Sequence, residues 1–165
     1  MSRIFYTGIG QDSHRFLSNK TAKKCTVAGL VFNDVPGLDA DSDGDVVFHA
    51  LCNAISSITH IPILGKIAIE LCKQGITDSR CYLDRALKTL DQRKIEHVAL
   101  TIEGARPKFQ THHYAMREST ANAARVSVDQ VGLTFTSGDS LTSFGRGEGL
   151  ICFCLLTVSK KIESI

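Results

Sequence analysis

The chain has 165 residues, 43% of them hydrophobic and 22% charged, which is typical of a single globular domain, here residues 1–165, with its own core. Its net charge of +2 and the absence of a dense lysine and arginine run argue against a nucleic-acid-binding protein, and no apolar segment approaches the ~18 residues that span a bilayer. The six cysteines follow no leader-like segment, so we expect reduced thiols in a cytoplasmic protein.

The first predicted elements are strands. Residues 4–10 are rich in aromatic and β-branched side chains, and residues 24–32 predict two strands joined by a turn. Before the second segment, Lys20, Lys23 and Lys24 predict a solvated loop. Asp12 and His14 follow the first strand two positions apart, a spacing that in extended chain puts both side chains on the same face.

An acidic loop then leads into a helix. Aspartates occupy every second position of the loop, at Asp39, Asp41, Asp43 and Asp45. The apolar spacing that follows predicts a helix over residues 45–58, capped by Asp43 or Asp45. His49 lies inside this helix, one turn after Asp45.

The second half alternates helices and strands. A weak helix is predicted to end near Gly75, and stronger ones cover residues 77–94 and 113–126. Strands are predicted over 97–103, 131–136 and 150–159, with Cys152 and Cys154 on one buried face of the last. These short alternating units predict an α+β fold, a mixed sheet covered by helices on one side.

The acidic loop can be tested as a calcium site. Asp39, Asp41, Asp43 and Gly44 match the start of an EF-hand loop, but the bidentate glutamate that such a loop requires is replaced by Ala50. Asp12, His14 and His49 instead offer one oxygen and two nitrogens, the three protein ligands of a catalytic zinc site with an open position. On spacing alone, a turn aspartate beside a surface histidine remains the alternative. If the metal site forms, Asp45 could hold the second imidazole nitrogen of His49.

Several motifs together resemble one enzyme family. They are Gly10-Gln11-Asp12-Ser13-His14, Ser42-Asp43-Gly44-Asp45-Val46 with His49-Ala50-Leu51, Asp78-Ser79-Arg80, Pro107-Lys108 and Gly145-Arg146-Gly147-Glu148-Gly149. In this order and spacing, they resemble the 2-C-methyl-D-erythritol 2,4-cyclodiphosphate synthases of non-mevalonate isoprenoid biosynthesis, over nearly the whole chain.

The resemblance implies a reaction and its cofactors. In the family, the 2-phosphate of 4-diphosphocytidyl-2-C-methylerythritol 2-phosphate attacks the β-phosphorus, CMP leaves and a cyclic diphosphate remains. A zinc ion, or another divalent transition metal, holds the β-phosphate, while Mg²⁺ or Mn²⁺ bridges the diphosphate. The family is a homotrimer with active sites between subunits. No nucleic-acid or membrane partner is implied.

The resemblance also assigns residues by position. Asp12, His14 and His49 match the zinc ligands, and Ser42 lies in the phosphate loop. The segment that grips cytosine matches Gly104, Arg106, Pro107, Lys108, Phe109 and Gln110. Thr136 and Ser137 match a pair that contacts the diphosphate, and Asp139 stands where a glutamate holds the second metal. Arg146 matches an arginine near the trimer axis.

This chain departs from the family pattern at several positions. Asp41 replaces a histidine near the phosphate, and Ile63 replaces the aspartate that binds ribose, which leaves the backbone of Leu64 and Gly65 for that role. Ser143 replaces a bulkier apolar residue near the axis. Two alternatives therefore stay open beside the synthase: a zinc phosphohydrolase, and a catalytically impaired trimer that binds a nucleotide or an isoprenoid.

Overall fold

The structure is a computed structural model that describes residues 2–18 and 22–162. Its main sheet contains the strands β1 (Arg3–Arg15), β4 (Lys94–Glu103), β5 (Val131–Thr136) and β6 (Gly149–Lys161), in the order β1-β6-β4-β5. Strand β6 is antiparallel to both β1 and β4, whereas β4 and β5 are parallel. The remaining described strands, β2 (Lys24–Val27) and β3 (Leu30–Pro36), form a separate hairpin.

Four α-helices accompany the sheet among the described residues: α1 (Val46–Thr59), α2 (Lys66–Lys73), α3 (Ser79–Lys88) and α4 (His113–Ala124). Helix α1 packs on β1 and β6, α4 packs on β5, and α3 packs on both helices. The buried apolar side chains form one cluster, which includes Cys152 and Cys154. The predicted mixed sheet with helices on one side, in a single small domain, is confirmed. In the described part of the chain, every helix is too short or too polar to cross a membrane.

The largest differences from the predicted boundaries are in β1 and α3. Strand β1 continues past the predicted end at Gly10, because it pairs with β6 along its whole length as far as Arg15. Helix α3 ends at Lys88, six residues earlier than predicted, where the Thr89 hydroxyl donates to the Ala86 carbonyl at 2.7 Å. Asp91 then takes a left-handed conformation, with φ of 55°, that redirects the chain into β4.

Two glycines in β1 let α1 approach the sheet closely. A Cβ atom at Gly10 would lie 2.0 Å from the Ala50 carbonyl oxygen, and one at Gly8 would lie 2.4 Å from that of Ala54. Asn53 adds a hydrogen bond from its Nδ2 to the Gln11 carbonyl at 2.9 Å. Because α1 lies this close to β1, His49 can reach the two candidate ligands at the end of the strand.

Substituting Gly10→Ala is expected to destabilise the protein by about 3 kcal/mol, because the new methyl group meets backbone atoms that cannot move independently. The matched control is Gly132→Ala in β5, where the nearest atom to an added Cβ lies 3.6 Å away. Urea unfolding monitored by circular dichroism measures both changes. Equal midpoints for the two variants would contradict the close-packing explanation.

Asp45 caps α1 and ties it to the β2–β3 hairpin. Its carboxylate accepts hydrogen bonds from Val47 N at 3.0 Å and Phe48 N at 3.2 Å, which confirms the predicted cap. It also accepts from Ala28 N at 2.9 Å and Gly29 N at 2.6 Å, in the turn of the hairpin. Because the Asp45 side chain is fully buried, its hydrogen bonds with these four N–H groups are shielded from water.

Asp45→Ala should therefore lower the free energy of unfolding by about 3 kcal/mol, since it leaves buried donors unpaired at two elements. Asp78 gives the comparison, because it caps α3 from an exposed position through a single hydrogen bond to Arg80 N at 2.8 Å. Asp78→Ala is expected to cost about 1 kcal/mol. Differential scanning calorimetry separates the two; a smaller loss for Asp45→Ala than for Asp78→Ala would refute the double role.

Candidate metal centre and active site

Three side chains from two elements converge at one point. Asp12 Oδ2 lies 3.0 Å from His14 Nε2 and 3.0 Å from His49 Nδ1, and the two nitrogens are 3.4 Å apart. Ligand atoms bound at ~2.0–2.1 Å around a tetrahedral zinc ion lie about 3.3 Å from one another. The donor set and its spacing therefore fit a divalent transition metal with one or more positions left for substrate.

The surroundings of the triad favour a metal site over a surface cluster. His49 is buried, and Asp12 and His14 are half-buried. Burial by itself would raise the pKa of Asp12, but hydrogen bonds with His14 and His49 hold it below its usual value. Burial would lower the pKa of His14, but the bond with Asp12 outweighs it and raises the value. The carboxylate therefore stays ionised and available as a ligand.

Each imidazole has a second partner outside the triad. Beside His14, the backbone of Asp39 in the acidic loop also acts to raise the pKa of His14. The Nε2 atom of His49 lies 2.8 Å from Ser79 Oγ, not beside Asp45 as the sequence suggested. That prediction was wrong, because two N–H groups at the start of α1 and two in the hairpin turn occupy the Asp45 carboxylate.

The acidic loop is fixed from both sides. Asp39 N donates to the Arg15 carbonyl at 2.8 Å, and Asp43 N donates to the Thr77 carbonyl at 2.8 Å. Lys23 is not solvated as predicted: its Nζ donates to the carbonyls of Ala40 at 2.6 Å and Ser42 at 2.5 Å. Burial lowers the pKa of Lys23, against the pull of the loop aspartates. Lys20 of the same predicted cluster lies outside the described residues.

A pocket of ≈ 490 Å³ opens over the triad. Besides the triad, it contains several of the predicted substrate residues, namely Asp41, Ser42, Leu64 and Gly65. Asp39 adds a third carboxylate to those of Asp12 and Asp41, and the described residues that line the pocket include neither lysine nor arginine. A diphosphate could not enter such a pocket without cations to offset the repulsion.

The other predicted substrate residues form a second cluster. Gly104 N donates to the Thr136 carbonyl at 3.0 Å, and Ser137 Oγ donates to Asp139 Oδ1 at 3.0 Å. Arg146 donates to Ser143 Oγ at 3.0 Å. Arg106 stacks on Phe16 and donates to the Gly147 carbonyl. Pro107 and Phe109 are buried, whereas Lys108 and Gln110 are exposed. Among the described residues, none of this second cluster lines the triad pocket.

Sequence reasoning missed one wall of the pocket. Helix α2 contributes Ala68, Ile69 and Cys72, and α3 contributes Tyr82. Tyr82 is buried, but nothing in the sequence linked it to the triad. Ile63, which the sequence resemblance assigned to a ribose-binding position, is buried in the core. Ser79 belongs to the motif Asp78-Ser79-Arg80, but the sequence predicted no role for it.

The YgbB family model matches residues 5–159. The chain belongs to the YgbB family. A YgbB relative from Chlamydia caviae, named 2-C-methyl-D-erythritol 2,4-cyclodiphosphate synthase, is 55% identical over 159 residues, which cover 95% of this chain and 90% of its own. The predicted membership of the cyclodiphosphate synthase family is thus confirmed, and with it the prediction of an enzyme of the lyase type.

Solved structures agree with the YgbB assignment. A cyclodiphosphate synthase in a CDP-bound form superimposes with a TM-score of 0.78 at 25% identity, over 93% of this chain and 99% of that one. The bifunctional IspDF of Campylobacter jejuni superimposes with a TM-score of 0.86 at 23% identity, over 97% of this chain. This chain spans 43% of the IspDF protein, and that likeness supports the fold alone.

Proposed function

We propose that the protein converts 4-diphosphocytidyl-2-C-methyl-D-erythritol 2-phosphate into 2-C-methyl-D-erythritol 2,4-cyclodiphosphate and CMP, in the non-mevalonate isoprenoid pathway. The observation that carries this proposal is the convergence of Asp12, His14 and His49 in a pocket whose described lining residues include neither lysine nor arginine. Relatives above 50% identity that carry the synthase name support the choice of reaction. The protein works in the cytoplasm, where its cysteines stay reduced.

The triad holds a zinc ion or another divalent transition metal, and Mg²⁺ or Mn²⁺ accompanies the diphosphate. When bound, the triad metal supplies a Lewis acid and a template for a phosphoryl oxygen. Nitrogen-rich ligand sets favour zinc-like ions, whereas carboxylate ligands such as Asp139 favour magnesium or manganese. The carboxylates of the pocket support two cations rather than one, since Asp39 and Asp41 add negative charge to that of Asp12.

The reaction needs positioning rather than a base, because the attacking phosphate is already an anion. One of its oxygens bonds to the β-phosphorus, the bond from that phosphorus to the oxygen shared with CMP breaks, and the electron pair leaves with CMP. Ser42 and its loop line the wall where the phosphates lie. Lys23 Nζ donates to the carbonyls of Ala40 and Ser42. The Asp41 N–H shares a peptide unit with the Ala40 carbonyl. Because peptide units are planar and trans, this N–H points away from Lys23. Backbone groups of Leu64 and Gly65 meet the ribose.

The second cluster acts in a neighbouring chain of a homotrimer. Strands β1 and β5 are the two edges of the sheet, separated by β6 and β4, which places them about 14 Å apart. The triad lies at the Arg15 end of β1, and the cluster that includes Thr136, Ser137 and Asp139 follows β5 at the same end of the sheet. The two half-sites lie on opposite edges of the sheet, at the same end. This arrangement suits a ring in which the second cluster of one chain completes the triad site of the next chain.

The uncovered face of the sheet supports such an assembly. Phe5 and Ile9 of β1 are 61% and 64% exposed, and Phe153 and Leu155 of β6 are 39% and 48% exposed. Ile9 pairs with Leu155 across the two strands, so these side chains form one contiguous apolar surface. A surface of this kind usually marks a protein interface.

Ser143 and Arg146 lie near the proposed trimer axis. In the neighbouring site, Gly104, Arg106, Pro107, Lys108, Phe109 and Gln110 bind cytosine.

Incubation with the cytidylyl substrate, Zn²⁺ and Mg²⁺, followed by ³¹P NMR, tests the proposal. We expect a cyclic diphosphate and one equivalent of CMP, and no product after metal removal by a chelator. A linear hydrolysed product would support the phosphohydrolase instead. Binding of CMP without any turnover would support the catalytically impaired trimer, and either outcome would overturn the proposal.

A further inference from the structure

Ser79 connects the candidate ligand His49 to a carboxylate that lies outside the metal pocket. It is fully buried at the first turn of α3. Its Oγ lies 2.8 Å from His49 Nε2 and donates to Asp43 Oδ1, while its backbone N–H donates to Asp43 Oδ2 at 3.1 Å. In the described part of the chain, Ser42 Oγ also lies near His49 Nε2, at 3.4 Å. Ser79 is therefore the closer partner of this nitrogen.

The donors and acceptors around Ser79 determine which ring nitrogen of His49 carries a hydrogen. A hydroxyl group has one hydrogen to donate, and a carboxylate can only accept. Because the Ser79 hydroxyl gives its hydrogen to Asp43, its oxygen can only accept from His49. Nε2 must then carry a hydrogen. In the neutral ring, which is the form that binds a metal ion, the Nδ1 lone pair therefore faces Asp12 and His14.

We propose that Ser79, anchored by Asp43, is the positioning residue that fixes His49 in the tautomer whose Nδ1 is free to bind the metal ion. This inference rests on the proposed metal site. It assigns a function to the motif Asp78-Ser79-Arg80, whose serine is neither a metal ligand nor part of the pocket lining. It also makes the geometry of the metal ligands depend on the packing of α3 against α1.

Zinc affinity measured by competition with a chelator tests the proposal. Ser79→Ala should weaken zinc binding by about 10–100-fold, the usual effect of losing an outer partner of a ligating histidine. Ser56→Ala is the matched control, because Ser56 lies on α1 with a buried Oγ that has no hydrogen-bond partner in the described part of the chain. His49→Ala, which removes a ligand itself, should bind zinc more weakly than Ser79→Ala.

A second measurement keeps the proposal testable if Ser79→Ala also unfolds more easily. In long-range ¹H–¹⁵N spectra, the zinc-loaded wild type should show a slowly exchanging His49 Nε2–H, and this proton should exchange faster in Ser79→Ala. Absence of zinc binding by the wild type would contradict the proposed metal site itself. If the wild type binds zinc but Ser79→Ala binds it equally well, or if His49 carries its hydrogen on Nδ1, the role of Ser79 is overturned.

Discussion

Replacing His49 with alanine is expected to lower kcat/KM by about 10³-fold or more, equivalent to about 4 kcal/mol of transition-state stabilisation. The substitution removes one of the two nitrogen donors and leaves Asp12 and His14 without the third ligand. The fold should persist, because the packing of α1 depends on buried apolar side chains such as Phe48, Leu51 and Ile55. Zinc content by atomic absorption, steady-state kinetics and circular dichroism measure the three effects.

His60→Asn is the matched control for this prediction. His60 is an exposed histidine that ends the same helix in a left-handed conformation, with φ of 62°, which asparagine tolerates. We expect wild-type zinc content and activity in this variant. An active His49→Ala protein, or an equal loss in both variants, would show that the triad is not the metal centre.

Mixing two inactive variants is expected to restore activity, if each site is shared between neighbouring chains. His49→Ala inactivates the triad half-site, and Asp139→Asn removes the charge proposed to hold the second metal while keeping an acceptor for Ser137. Asparagine also tolerates the left-handed conformation of Asp139, with φ of 44°. In randomly mixed rings, an intact triad meets an intact second cluster at about one quarter of the sites. Mixed protein should then reach about one quarter of the wild-type kcat per site.

The control for complementation is a mixture of His49→Ala with Asp12→Asn. Both substitutions fall in the triad, so no arrangement of these chains contains an intact site. Both mixtures are prepared by refolding equal amounts of the two variants together, with their masses checked by sedimentation. Restored activity in the control, or none in the test mixture despite mixed trimers, would contradict the shared site.

The alternation and spacing of apolar side chains predicted most of the elements. Helix α1 and strand β5 occur within one residue of their predicted bounds, because each has a clear period and distinct end signals. The extension of β1 past Gly10 was not predictable, since its polar end is held by pairing with β6, which is distant in sequence. The early end of α3 depends on a left-handed turn at Asp91, for which the sequence carries no glycine signal.

The candidate metal ligands were predictable, but their supporting residues were not. Asp12 and His14 lie two apart on a strand, and His49 follows an acidic helix start, so local spacing indicated all three. Lys23 and Ser79 reach the site only through tertiary contacts with the acidic loop and α1. The sequence likewise did not identify α1 as the element that approaches Gly8 and Gly10, because a pair of glycines has many other uses.

Anomalous diffraction from crystals grown with Zn²⁺ and CDP measures the central claim most directly. We expect one zinc peak per chain within ~2.0–2.1 Å of ligand atoms of Asp12, His14 and His49. Cytosine should contact residues 104–110 of the neighbouring chain. A zinc peak elsewhere, or a CDP molecule held entirely by one chain, would contradict the account.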